Sequence, residues 1–75
     1  MVNSSTGSLL ELEAEIVDLE EGIPDLETKN RLLTIPKRLF AEAQDYHGKG
    51  AAQEVRLTIN CARKLLERAK DELKK

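Results

Sequence analysis

Residues 9–33 read LLELEAEIVDLEEGIPDLETKNRLL, and this stretch decides the fold class. Leu9, Leu12, Ile16, Leu19, Ile23, Leu26 and Leu33 recur at alternating intervals of three and four, with the polar Asn30 filling the remaining place. Such spacing puts them on one face of an α-helix and is the signature of a coiled-coil seam. Gly22 followed by Pro24 interrupts the run, because the proline ring crowds the carbonyl four residues back and has no N–H to offer it. Ser8 with Glu11 three residues on forms a capping box, so a first helix is expected over about 9–21.

Working outward, Pro24 is tolerated in a first turn, and a second helix is expected over 24–33. Thr34-Ile35-Pro36 is a further breaker, with Thr34 as a possible cap for a helix over 35–47 that lines up Ile35, Leu39, Ala43 and Tyr46. His47-Gly48-Lys49-Gly50 carries two glycines in four residues and reads as a loop. A last helix over 51–73 then presents Val55, Ile59, Ala62, Leu66, Ala69 and Leu73. No alternation long enough for a strand competes. The expected fold is all-α: a small three- or four-helix bundle with a coiled-coil-like seam.

The chain has 75 residues, enough for one small domain, expected over 8–75 after a disordered leader at 1–7. A core this small is marginal unless a metal, a disulfide or a partner supports it. With Cys61 the only cysteine, an internal disulfide is excluded. No apolar run approaches the roughly 20 residues that span a bilayer, and residues 1–7 resemble no signal peptide. A cytoplasmic protein with no membrane association is the expectation.

The net charge of −2 conceals a division. Residues 1–30 hold eight acids against one base, Lys29, whereas residues 31–75 hold six acids against eleven bases. Heptad positions sharpen this. With Leu9, Ile16 and Ile23 at position a, position e of the first seam is Glu13, Glu20 and Glu27; with Ile59, Leu66 and Leu73 at a, position e of the last helix is Arg56, Arg63 and Lys70. Flanking charges select partner and orientation, and an acidic row matches a basic one across an antiparallel seam.

A protein interface is therefore expected on Leu12, Glu13, Ile16, Leu19, Glu20, Ile23, Leu26 and Glu27, and on Arg56, Ile59, Arg63, Leu66, Lys70 and Leu73. Since an up-down-up bundle would set the two helices parallel, the row match favours a dimer or a helical protein partner. The alternative is a monomer with solvated charge rows.

Other chemistries find less support. The leucines at 12, 19, 26 and 33 have zipper spacing, but nothing basic precedes Leu9, which excludes a basic-zipper factor. His47 and Cys61 are too few to ligate zinc, and with Asp45 they form no second catalytic motif, so no metal, cofactor, small-molecule substrate or catalysis is expected. The Gly-Lys-Gly stretch lacks P-loop spacing. Lys49, Arg56, Arg63, Lys64, Arg68 and Lys70 make the last helix basic, and nucleic-acid phosphates are the alternative partner. The acidic first half and the presence of only Phe40 and Tyr46 for stacking count against it. The primary expectation is a non-catalytic interaction or oligomerisation module.

Overall fold

The structure, a computed structural model, describes residues 4–74, with side-chain surroundings from residue 7 onward. Three α-helices follow one another: α1 (Ser4–Glu21), α2 (Leu26–Gly48) and α3 (Ala52–Lys74). No strand occurs among the described residues, and the fold is all-α.

α1 begins a turn earlier than the capping box at Ser8 suggests. Ser8 lies inside the helix, and the expected leader is helical over residues 4–7, while residues 1–3 fall outside the described residues. Ser5, Thr6 and Gly7 each disfavour helix by less than about 1 kcal/mol. Leu9 and Leu12, both buried, anchor the next turn and outweigh them. The other end stops where the sequence says it should: the Gly22 N–H reaches the Asp18 and Leu19 carbonyls at 3.2 and 3.1 Å, and Pro24 then blocks further turns.

α2 corrects two expectations. It starts after Asp25 rather than at Pro24: Asp25 takes an extended backbone and its carboxylate accepts hydrogen bonds from the Thr28 N–H (2.8 Å) and hydroxyl (2.7 Å). It also runs unbroken through Pro36, so the helices expected over 24–33 and 35–47 are one, and no fourth element exists among the described residues. Thr34 caps nothing; its hydroxyl donates back to the Asn30 carbonyl within the helix. Pro36 survives mid-helix because it is buried with Leu33 and Ala43, so the core on both sides holds the turn in place.

The α2–α3 connection is tighter than the four-residue loop expected. His47 and Gly48 belong to the last turn of α2, leaving residues 49–51 to reverse the chain. Gly50 adopts φ 76°, the Gly50 N–H donates to the His47 carbonyl (3.1 Å), and the Ala51 N–H donates to that of Tyr46 (2.9 Å). This pair of bonds is a Schellman closure, which requires the left-handed residue that glycine supplies.

Ion pairs mark the order of packing. Lys37 on α2 meets Glu20 on α1 (2.5 Å), Arg31 on α2 meets Glu72 on α3 (2.6 Å), and Arg63 on α3 meets Glu11 on α1 (2.8 Å). α1 therefore runs antiparallel to α2 and alongside α3 in the same direction, a bundle-like arrangement. Leu9, Leu12, Ile16, Leu19 and Ile23 bury against Val55, Ile59, Ala62, Leu66 and Ala69, with Leu33 and Ala43 from α2 closing the third side. Leu32, Leu39, Phe40 and Tyr46 pack half-buried around this core.

Two substitutions test this packing by urea titration. Leu12→Ala, at a position with 0% exposure, is expected to cost about 2–5 kcal/mol; a loss well under about 1 kcal/mol would contradict the core assignment. Pro36→Ala is expected to stabilise by about 1 kcal/mol, since relief of the roughly 3 kcal/mol helix penalty exceeds the loss of two buried methylenes at about 0.8 kcal/mol each. A destabilised Pro36→Ala variant would show that the ring is needed for packing.

Candidate interaction surface

The structure divides the residues expected at an interface into two groups. Leu12, Ile16, Leu19, Ile23, Ile59 and Leu66 are buried within the single chain, so both apolar stripes face its interior rather than solvent. Leu26 and Leu73 are exceptions, 68% and 40% exposed. They belong to the α2 N-terminal and α3 C-terminal ends, which Arg31–Glu72 brings together near the α1–α2 connection. Leu26 falls out of the seam because the chain turns at Gly22–Asp25, and Asn30 is exposed for the same reason.

The charged rows do not match each other within the chain. Arg63 bonds Glu11 and lies 3.8 Å from Glu15, neither of which is in the Glu13–Glu20–Glu27 row. Its Nε is shielded from solvent without a hydrogen-bond partner. Glu20 turns instead to Lys37 of α2, whose ammonium hydrogen bond holds the Glu20 carboxyl below its ordinary value. Parallel helices bring e toward g rather than e toward e, which places Glu15 at g within 3.8 Å of Arg63 and leaves Glu13 away from it, although the closer bond goes to Glu11 at position c. Glu13, Glu27, Arg56 and Lys70 are exposed.

A cleft of about 120 Å³ lies between α1 and α3, lined by Ser8, Arg56, Asn60 and Arg63 over Val55 and Ile59. Two arginines there would suit an anion, but Glu11 and Glu15 already compensate Arg63. The wider basic set is similarly divided. Lys49 pairs with Asp45 at 2.9 Å. By helical spacing, Arg56, Arg63 and Lys70 share one flank of α3 and Lys64 and Arg68 the other, with Glu67 and Asp71 between them. No unbroken basic stripe results for a phosphate backbone to follow.

Apolar surface remains outside the core, and reading the seams alone misses it. Leu10 and Val17 on α1 are 62% and 43% exposed, and Ala14 between them is exposed too. Both follow seam residues directly, as Leu9-Leu10 and Ile16-Val17, and so occupy heptad position b, which points outward and is normally polar. That doublet, repeated one heptad apart, is the sequence signal that could have found them. A second apolar area lies along the α2–α3 junction, where Leu32, Ile35, Pro36, Leu65 and Ala69 line a shallow cleft of about 160 Å³ bridged by Arg31–Glu72. Exposed Cys61 and Leu57 continue along α3.

Among the described residues no three His, Cys, Asp or Glu side chains converge on a metal-sized site, and no helix is long and apolar enough to cross a membrane.

The carboxylates give the surface a pH signature. The Thr28 hydroxyl and N–H hold the Asp25 carboxyl low, as Lys37 does for Glu20. A carboxyl whose value is depressed by folding stabilises the fold above the ordinary carboxylate range, and that contribution disappears as pH falls through the depressed value. The double variant Asp25→Asn, Glu20→Gln is expected to flatten the acid side of the stability–pH curve; an acid limb as steep as the parent's would contradict these assignments.

Comparison with family models, with curated proteins and with solved structures yields no match to this chain.

Proposed function

We propose that this chain is a non-catalytic helical protein–protein interaction module. In this reading it is a three-helix bundle whose α1 and α3 stripes form a coiled-coil-like seam internally, and it docks an amphipathic helix of a larger partner on the outward face of α1. One observation carries the reading: Leu10 and Val17 stay exposed, a heptad apart, after the core has closed. Leaving these two side chains 62% and 43% exposed forgoes roughly half of the about 1.5–3 kcal/mol that full burial of each would supply. Their spacing is the one a helical partner recognises through i, i+4 and i+7 anchors. Self-association through the seams would require Leu12, Ile16, Ile59 and Leu66 to leave a core in which they are already buried. The α1 face needs no such opening.

The test separates surface from core. Leu10→Lys with Val17→Lys should leave stability within about 0.5 kcal/mol of the parent, because neither residue is in the core. The same pair should abolish the amide chemical-shift changes that designed amphipathic helical peptides produce in the parent chain. If peptides of neither charge perturb the parent at up to about 1 mM, the interaction-module reading fails.

A further inference from the structure

α1 carries six acids, Glu11, Glu13, Glu15, Asp18, Glu20 and Glu21, and no base. The fold compensates only part of this charge: Arg63 serves Glu11 and Glu15, and Lys37 serves Glu20. Glu13, Asp18 and Glu21 are exposed, and among the described residues no base pairs with them. Their placement follows from helical spacing. Leu10, Ala14, Val17 and Glu21 succeed one another at i, i+4, i+7 and i+11, while Glu13 and Asp18 flank that line on opposite sides. The exposed apolar line is thus bordered and ended by carboxylates that α2 and α3 leave uncompensated.

We infer that the partner segment docked on α1 is a basic amphipathic helix, its apolar side on Leu10, Ala14 and Val17 and its Lys or Arg side chains against Glu13, Asp18 and Glu21. This rests on the reading of the chain as an interaction module and adds the chemistry of the partner. Complementary charge is what the face lacks. An acidic helix would place like charges beside desolvated carboxylates, a cost that excludes wrong partners in charged helical interfaces. Anionic lipid and nucleic-acid phosphate are disfavoured on the same ground. The α2–α3 cleft makes no such demand, since Arg31 is paired with Glu72 and Arg68 is the one further charge in its lining. The two apolar areas therefore differ in charge, and titration can tell them apart.

The experiment uses the whole chain, isotope-labelled, and two designed helical peptides with the same Leu/Ala face, one flanked by Lys and Arg and the other by Glu. The basic peptide is expected to bind about fivefold more tightly, as three exposed charge pairs imply. Its shift changes should centre on Leu10, Ala14 and Val17, and its advantage should shrink as salt rises. Glu13→Lys with Glu21→Lys should abolish or reverse the preference while leaving the helix content and melting temperature near those of the parent. Equal or tighter binding of the acidic peptide, or shifts centred on Ile35 and Leu65, would overturn the basic-partner inference and leave the module reading standing. Binding by neither peptide would overturn both.

Discussion

The apolar lines of three amphipathic helices must close on one another within one short chain, with α2 against α3 the most extensive contact and α1 laid across both, and the remaining structure depends on that closure. Leu12 and Ile16 of α1 meet the Val55–Ala69 line of α3, and α2 supplies Leu33, Pro36 and Ala43 to complete the enclosure. Alanines at 43, 62 and 69 are buried and allow close approach of the backbones they sit on. The energetic balance is narrow for a chain of 75 residues with one aromatic pair outside the fully buried core. Each leucine in the enclosure therefore matters more than its share of the length suggests. The mid-helix proline is tolerated on the same account: its ring belongs to the enclosed surface, so packing offsets part of the helix penalty and the rest of the core carries the remainder.

Parallel alignment of α1 and α3 also decides the electrostatics. It brings Glu11 and Glu15 to Arg63 and turns Glu20 toward Lys37, instead of zipping one e row against the other. These bridges are solvent-exposed and individually weak. Their larger consequence is the set of charges they leave over. The unpaired acids Glu13, Asp18 and Glu21 collect on the outer side of α1, beside Leu10 and Val17, while Arg56 and Arg63 line the α1–α3 cleft and Lys64 and Arg68 lie on the other flank of α3. A chain with a net charge of only −2 thus divides its charge unevenly over its surface.

Much of this was legible in the residues. The 3–4 spacing of Leu9 through Ile23 and of Val55 through Ala69 names the buried faces of α1 and α3, and Gly22-Pro24 marks the first reversal. The glycine pair at 48 and 50 marks the second, though only Gly50 carries the left-handed backbone. Pro36 misleads because local propensity argues for a break, whereas the apolar line Leu32, Leu33, Leu39, Phe40 and Ala43 continues across it and tertiary burial prevails. Ser8 misleads similarly: a capping box is a local preference, and docking of Leu9 extends the helix past it. The seam residues read as an interface from sequence because spacing shows that a face must be covered but not which chain covers it. Leu10 and Val17 were visible as apolar residues at outward positions, but their exposure has meaning only once the seam is known to be occupied.

The claim that the seams close within one chain is tested most directly by urea unfolding followed across about a hundredfold range of protein concentration. A core completed by a single chain unfolds with a midpoint independent of concentration, whereas a core shared between chains is stabilised by mass action as concentration rises. The account predicts a fixed midpoint. A midpoint that climbs with concentration would show that the α1 and α3 stripes meet between chains, and would contradict it.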